Sequence, residues 1–149
     1  MGDHYLAIMP RDPRYSPSDQ QLAAAREVVA DFFSESEVRT ASAQEFRFVH
    51  TVEGFESPAC PNCGASLDFD WWSNQMNHCA AVGFEPFAVV SPCCSTECSL
   101  ADLDYHDQAA FAHCVIEVHE PRRLELGPRE LLVVARELGR PLRQVWVHV

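Results

Sequence analysis

Cys60-Pro61-Asn62-Cys63-Gly64 and Pro92-Cys93-Cys94-Ser95-Thr96-Glu97-Cys98 set two groups of thiols about thirty residues apart. Two thiolate pairs, each carried by a tight turn, can close a tetrahedral site around Zn²⁺, and a metal held that way contributes folding free energy to a segment with little core of its own. The pattern reads as a zinc ribbon with Zn²⁺ as its cofactor. Cys60 and Cys63 are the specific half. Two residues between them and Gly64 after them let the backbone turn and aim its amides at the sulfurs. In the second half Cys94 pairs with Cys93 or with Cys98. Neighbouring side chains point apart unless a turn brings both inward, so spacing alone favours Cys94 with Cys98. Cys79 and Cys114 read as packing residues of a helix and a strand.

A catalytic zinc needs an open coordination position and a nearby base, for which His78, His106 and Glu97 are the candidates. With four or five thiols at hand the metal is expected to be closed and structural. A Cys60/Cys63 redox dithiol is the other enzymatic alternative, because Cys-Pro-x-Cys also serves oxidoreductases, but the second cysteine group favours a metal. His113, Glu117, His119 and His148 are expected on a solvated sheet face rather than around a second metal. Of Trp71 and Trp72, only one can share a buried helix face with Met76, so Trp72 is expected in the core and Trp71 at its margin. No Ser/His/Asp triad context, phosphate loop or internal repeat is present.

Cys60 to Gly64, Trp71-Trp72, Ser91-Pro92-Cys93-Cys94, Ser99-Leu100 and Leu103-Asp104-Tyr105 together resemble a group of bacterial proteins in which a CPxCG half-site is followed by a PCCG half-site. The resemblance spans about half of the chain. It implies that the adjacent pair Cys93 and Cys94 is the constant feature, which leaves Cys93 and Cys98 as equal candidates beside Cys94. Ser95 departs from the pattern, standing where Gly is expected. No activity follows from the resemblance.

The charge is concentrated around these cysteines. All 11 cationic residues are Arg, none lies between Phe48 and Pro121, and residues 48–121 hold 11 carboxylates that account for the whole net charge of −11. A tetrathiolate around Zn²⁺ adds two more negative charges. Such a field repels phosphate backbones, which argues against a nucleic-acid role and favours a basic protein partner. The odd count of 7 cysteines, with no export signal and no apolar run of membrane length, points to reduced thiols in a cytoplasmic protein. Gly2 is no myristoylation site, because Leu6 stands where that signal needs Ser or Thr.

The elements that must position the thiols follow from periodicity. His4 to Met9 reads as a strand stopped by Pro10. Ser16-Pro17-Ser18-Asp19 reads as an N-cap, a first-turn proline and a carboxylate three residues after the cap. A helix follows with Leu22, Ala25, Val29 and Phe32 or Phe33 on its buried stripe, ending near Ser34. Glu45 to Val52 and Phe111 to His119 alternate as strands. Gly127-Pro128 opens a helix with Leu131, Val134, Ala135 and Leu138 inward, and Leu142 to Val149 alternates again, with Val145, Val147 and Val149 on one side. Within the cysteine segment, Ser66 is expected to cap a helix over 67–82 that buries Trp72, Met76, Cys79 and Val82. Gly83 ends that helix, and an extended run follows from Phe84 to Ser91.

The order strand, helix, strand, strand, helix, strand predicts an α+β, ferredoxin-like fold. Residues 1–52 and 108–149 form it, and residues 53–107 are an acidic zinc-ribbon-like insertion between the second and third strands. The chain is thus expected to be a zinc-stabilised module that binds a basic protein, one version being an immunity- or antitoxin-like partner of a nuclease.

Overall fold

Apolar runs and alternations become the strands. The computed structural model describes residues 4–51, 56–83, 85 and 88–148. Gly2, the strand end at Val52, the boundary at 53, the start of the extended run at 84, 86 and 87, and the last alternating position, Val149, lie outside the described residues. β1 (His4–Pro10) buries Leu6, Ala7, Ile8 and Met9 on both faces, as an inner strand does. α1 (Asp19–Phe32) starts at Ser18, not at Ser16. The Ser18 hydroxyl accepts from the Gln21 amide at 3.1 Å while Gln21 Oε1 accepts from the Ser18 amide at 2.8 Å, a reciprocal pair that satisfies two unpaired donors and leaves Pro17 ahead of the cap. Leu22, Ala25 and Val29, with Phe33 just past the end, form its buried stripe.

β2 (Glu37–His50) is longer than expected. Its first half is polar and exposed, apart from Val38, so it lacks the alternation that marks a strand; its pairing with β5, with a register shift between Ser42 and Arg47, holds it in place. β5 (Ala109–His119), α3 (Pro128–Leu138) and β6 (Leu142–His148) complete the frame. The four strands lie in the order β2-β5-β1-β6, every neighbouring pair antiparallel. Val29, Val134 and Leu138 of the two helices pack on Leu6, Ile8, Ile116 and Val118 of the sheet. Ala7, Met9, Val115, Val145 and Val147 form a separate buried cluster. Gly139 ends α3 at φ +98°, and a Cβ there would stand 2.7 Å from the Tyr15 hydroxyl, which donates to the Leu138 carbonyl. Left-handed backbone and close approach together require glycine.

The cysteine segment joins β2 to β5. It contains α2 (Phe69–Ala81), β3 (Ala88–Val90), β4 (Glu97–Ser99) and a 3₁₀ turn at Leu100–Asp102. α2 is capped by Asp68, whose carboxylate accepts from the Trp71 amide at 3.1 Å. Ser66 cannot serve, because it forms a β-bridge with Ala59, and the Leu67 amide is held by the Pro58 carbonyl at 2.9 Å. Trp72, Met76 and Cys79 are buried as expected; Val82 is 61% exposed, because the helix has already ended at Ala81. Among the described residues of the expected extended run, Ala88–Val90 forms a strand, paired with β4.

This segment and the sheet share one core. Trp72, Met76, Leu100, Leu103 and Tyr105 pack with Ala109 and Phe111 of β5, and Phe46 and Phe48 of β2 close against them. Trp72 Nε1 donates to the Tyr105 hydroxyl at 3.3 Å, which donates to the Leu100 carbonyl at 2.7 Å. Trp71 is half-buried at the edge of this cluster. Arg14, in the β1–α1 loop, adds a second tie by donating to Ser99 Oγ at 3.1 Å. Among the described residues, no helix is long and apolar enough to cross a membrane.

Candidate metal centre

Two six-residue turns with the same backbone bonds carry the thiols. In the first, the Cys60 amide donates to the Ala65 carbonyl at 2.8 Å and the Gly64 amide to the Cys60 carbonyl at 2.9 Å. In the second, the Ser91 amide donates to the Thr96 carbonyl at 3.0 Å and the Ser95 amide to the Ser91 carbonyl at 2.9 Å. Proline stands second in each turn, and the fifth residue is left-handed in each, Gly64 at φ +77° and Ser95 at φ +57°. A serine in that region costs about 1–2 kcal/mol, which explains why glycine is the commoner choice there. Laid over one another, the turns match Cys60 to Ser91, Asn62 to Cys93 and Cys63 to Cys94. Ser91 thus occupies the first sulfur position of the second turn, and Cys93 supplies a sulfur from the third.

The result brings Cys60, Cys63, Cys93 and Cys94 together, with all four sulfurs within 4.8 Å of one another. Cys63 and Cys93 are 3.4 Å apart, Cys60 and Cys94 3.7 Å, Cys93 and Cys94 3.9 Å. Sulfurs at ~2.3 Å from one tetrahedral ion stand ~3.8 Å apart, so the spacing suits a single ion held by four thiolates. All 7 cysteines are free, and these separations are well beyond a disulfide bond. Cys60 is buried; the other three face water.

Cys98, the spacing-favoured partner of Cys94, lies on β4, half-buried against the shared core and outside the sulfur group. The turn at Pro92–Cys94 is what overrides the rule that neighbours point apart. Cys79 is buried with its thiol on the Glu85 carbonyl, and Cys114 is buried in β5. Among the described residues, the group holds no histidine or carboxylate, so His78, His106 and Glu97 are not brought to it. His106 instead sits 3.6 Å from Asp104. His119 bonds to Glu117 at 2.9 Å, whereas the His113 ring lies against Phe46, centroids 3.9 Å apart and planes tilted by 38°.

Asn62, Ser91 and Thr96 are the residues that spacing rules passed over. Asn62 donates to Cys94 Sγ at 3.5 Å and to Thr96 Oγ1 at 3.0 Å, and the hydroxyls of Ser91 and Thr96 lie 3.4 and 3.3 Å from the same sulfur. The repeated x-Pro-x-Cys turn was the available signal for Ser91. These partners, Ser91 first, then Thr96 and Asn62, hold the Cys94 thiol down to about 5. The Cys63 amide lowers Cys60. Desolvation, followed by the hydrogen bond with Cys63, pushes Cys93 up to about 12. A metal-free cluster therefore offers thiolate at Cys94 while Cys93 keeps its proton, and metal capture releases protons.

Comparison with protein-family models, curated proteins and solved structures finds no match to this chain.

Two outcomes follow from the geometry. A thiol pKa lowered in the folded chain stabilises the fold fully above the ordinary thiol range near ~8.5, and that contribution shrinks as pH falls and is gone below the folded value. The thiolate absorbance of the metal-free chain should therefore show a step near pH 5 that Cys94→Ser removes. Asn62→Leu takes a donor from Cys94 without touching a thiol, and should weaken metal binding about 10–100-fold in a competition titration.

Proposed function

We propose that the chain is a zinc-stabilised protein-binding module, with the ion held by Cys60, Cys63, Cys93 and Cys94 in a structural role. The observation that carries this reading is the group of four sulfurs within 4.8 Å of one another, three of the pairs at 3.4–3.9 Å, which suits one tetrahedral ion and uses all four positions, leaving none for water. A closed tetrathiolate of this kind is worth on the order of 10 kcal/mol to the segment it staples. The β-α-β-β-α-β frame with β1 between β5 and β6 supports a ferredoxin-like reading of residues 1–52 and 108–149, with 53–107 as a zinc-ribbon-like insertion at the tip of the β2–β5 hairpin.

The partner is a basic protein, and it docks on the insertion. Residues 53–107 contain nine carboxylates and no Arg, and the bound tetrathiolate adds to that field. Charge of one sign concentrated on one segment speeds and orients the encounter with an oppositely charged surface. An immunity- or antitoxin-like role against a nuclease in the cytoplasm is the concrete form of this proposal.

X-ray absorption on the purified, metal-loaded chain tests the centre. Four sulfurs at about 2.3 Å are expected, and a shell of three sulfurs with one oxygen or nitrogen would overturn the structural reading in favour of a catalytic one. Capture experiments with the loaded chain test the partner: the retained protein should be basic and its association rate should fall as salt rises, and a neutral or acidic partner insensitive to salt would overturn it.

A further inference from the structure

The four sulfurs are not equivalent. Cys60 is buried, and Cys94 is surrounded by Asn62, Ser91 and Thr96. Hydrogen-bond donors draw charge from a thiolate and lower its nucleophilicity, while exposure raises its susceptibility to oxidants. Cys63 and Cys93 both face water, and their 3.4 Å contact is shorter than the 3.7 Å between Cys60 and Cys94 or the 3.9 Å between Cys93 and Cys94. Cys93 also reaches the centre from the third position of its turn, where the matching turn carries Asn62, because Ser91 has taken the first position.

We propose that Cys63 and Cys93 are the oxidation site of this centre, and that a peroxide links them in a disulfide that releases the metal. The inference rests on the metal reading above. One of the two thiolates attacks a peroxide oxygen and breaks the O–O bond, giving a sulfenic acid and a hydroxide. The other thiolate then attacks the sulfenic sulfur, forms the S–S bond and expels a second hydroxide. The two thiolates lose two electrons, the peroxide gains them, and two protons from the buffer turn the hydroxides into water. With hydrogen peroxide the products are the disulfide and two waters. The ion keeps only Cys60 and Cys94. A bond of ~2.05 Å between the sulfurs requires them to close by roughly 1.4 Å, within reach of two exposed turns. A Cys93–Cys94 disulfide would have to close a strained ring between neighbours.

The test treats the zinc-loaded full chain with hydrogen peroxide, follows released zinc with a chromogenic chelator, and maps disulfides by mass spectrometry of unreduced peptides. One zinc per chain should appear together with a Cys63–Cys93 disulfide, and a phosphine reductant plus zinc should restore the loaded chain. Cys98→Ser, which removes a nearby thiol outside the sulfur group, should leave yield and rate within about twofold of the parent. A disulfide at Cys60–Cys63 or one that includes Cys98, or a loaded chain that keeps its zinc in excess peroxide, overturns the inference. The two readings separate by metal analysis before oxidation: a chain that never binds zinc overturns the metal reading and the release together, even if peroxide still joins Cys63 to Cys93.

Discussion

Cys94→Ser should abolish stoichiometric zinc binding while leaving most of the fold in place. Cys94 is the sulfur with the most polar partners and is already a thiolate at neutral pH, so it offers the entering ion its most available ligand. Losing it costs more than the 10–100-fold expected from removal of an outer hydrogen-bonding partner. Zinc at about a thousand times its Kd should stabilise the parent by ~4 kcal/mol and leave the variant unmoved. The damage should be confined to the two turns, because Trp72, Tyr105 and Phe111 are buried in the core that the segment shares with the sheet. Parallel zinc titration and thermal melts decide the matter. Wild-type affinity in the variant would sink the tetrathiolate.

Trp72→Ala should destabilise the chain by about 3–5 kcal/mol, a large part of the ~5–15 kcal/mol that holds a domain of this size together. Trp72 is 7% exposed and sits 5.9 Å from the Phe48 ring, with its indole nitrogen on the Tyr105 hydroxyl. The cavity would open at the junction between α2 and the strands β2 and β5. Amide exchange should then accelerate together in α2 and in the paired residues of β2 and β5. Loss confined to α2, with the sheet unchanged, would show that the insertion and the frame unfold separately.

The outer elements were legible because they obey simple periods: the buried stripe of α1, the Gly127-Pro128 start and Gly139 stop of α3, and the alternation of β5 and β6 all read directly from residue type. The first half of β2 was not, since an exposed strand held by pairing has no inward residues to mark it. The Ser66 cap failed because a bridge to Ala59, across the first cysteine turn, claims that backbone. At the centre, Cys60 and Cys63 followed from spacing, and the resemblance brought Cys93 level with Cys98. What spacing rules could not convey was the left-handed Ser95, which completes the turn that brings adjacent cysteines inward.

The Arg14–Ser99 bond gives the aromatic junction a further meaning. An insertion carried on a hairpin tip alone would behave as a pendant, and a partner would have to immobilise it on arrival. Here it is anchored at the hairpin by Phe48, Trp72 and Phe111 and again at Ser99 by an arginine from the first loop. The backbone that carries its described carboxylates is therefore tied to the frame at both points. If a basic protein docks here as proposed, the anchored insertion loses little conformational entropy on binding, and selectivity is set by how well the opposing cations match its carboxylates.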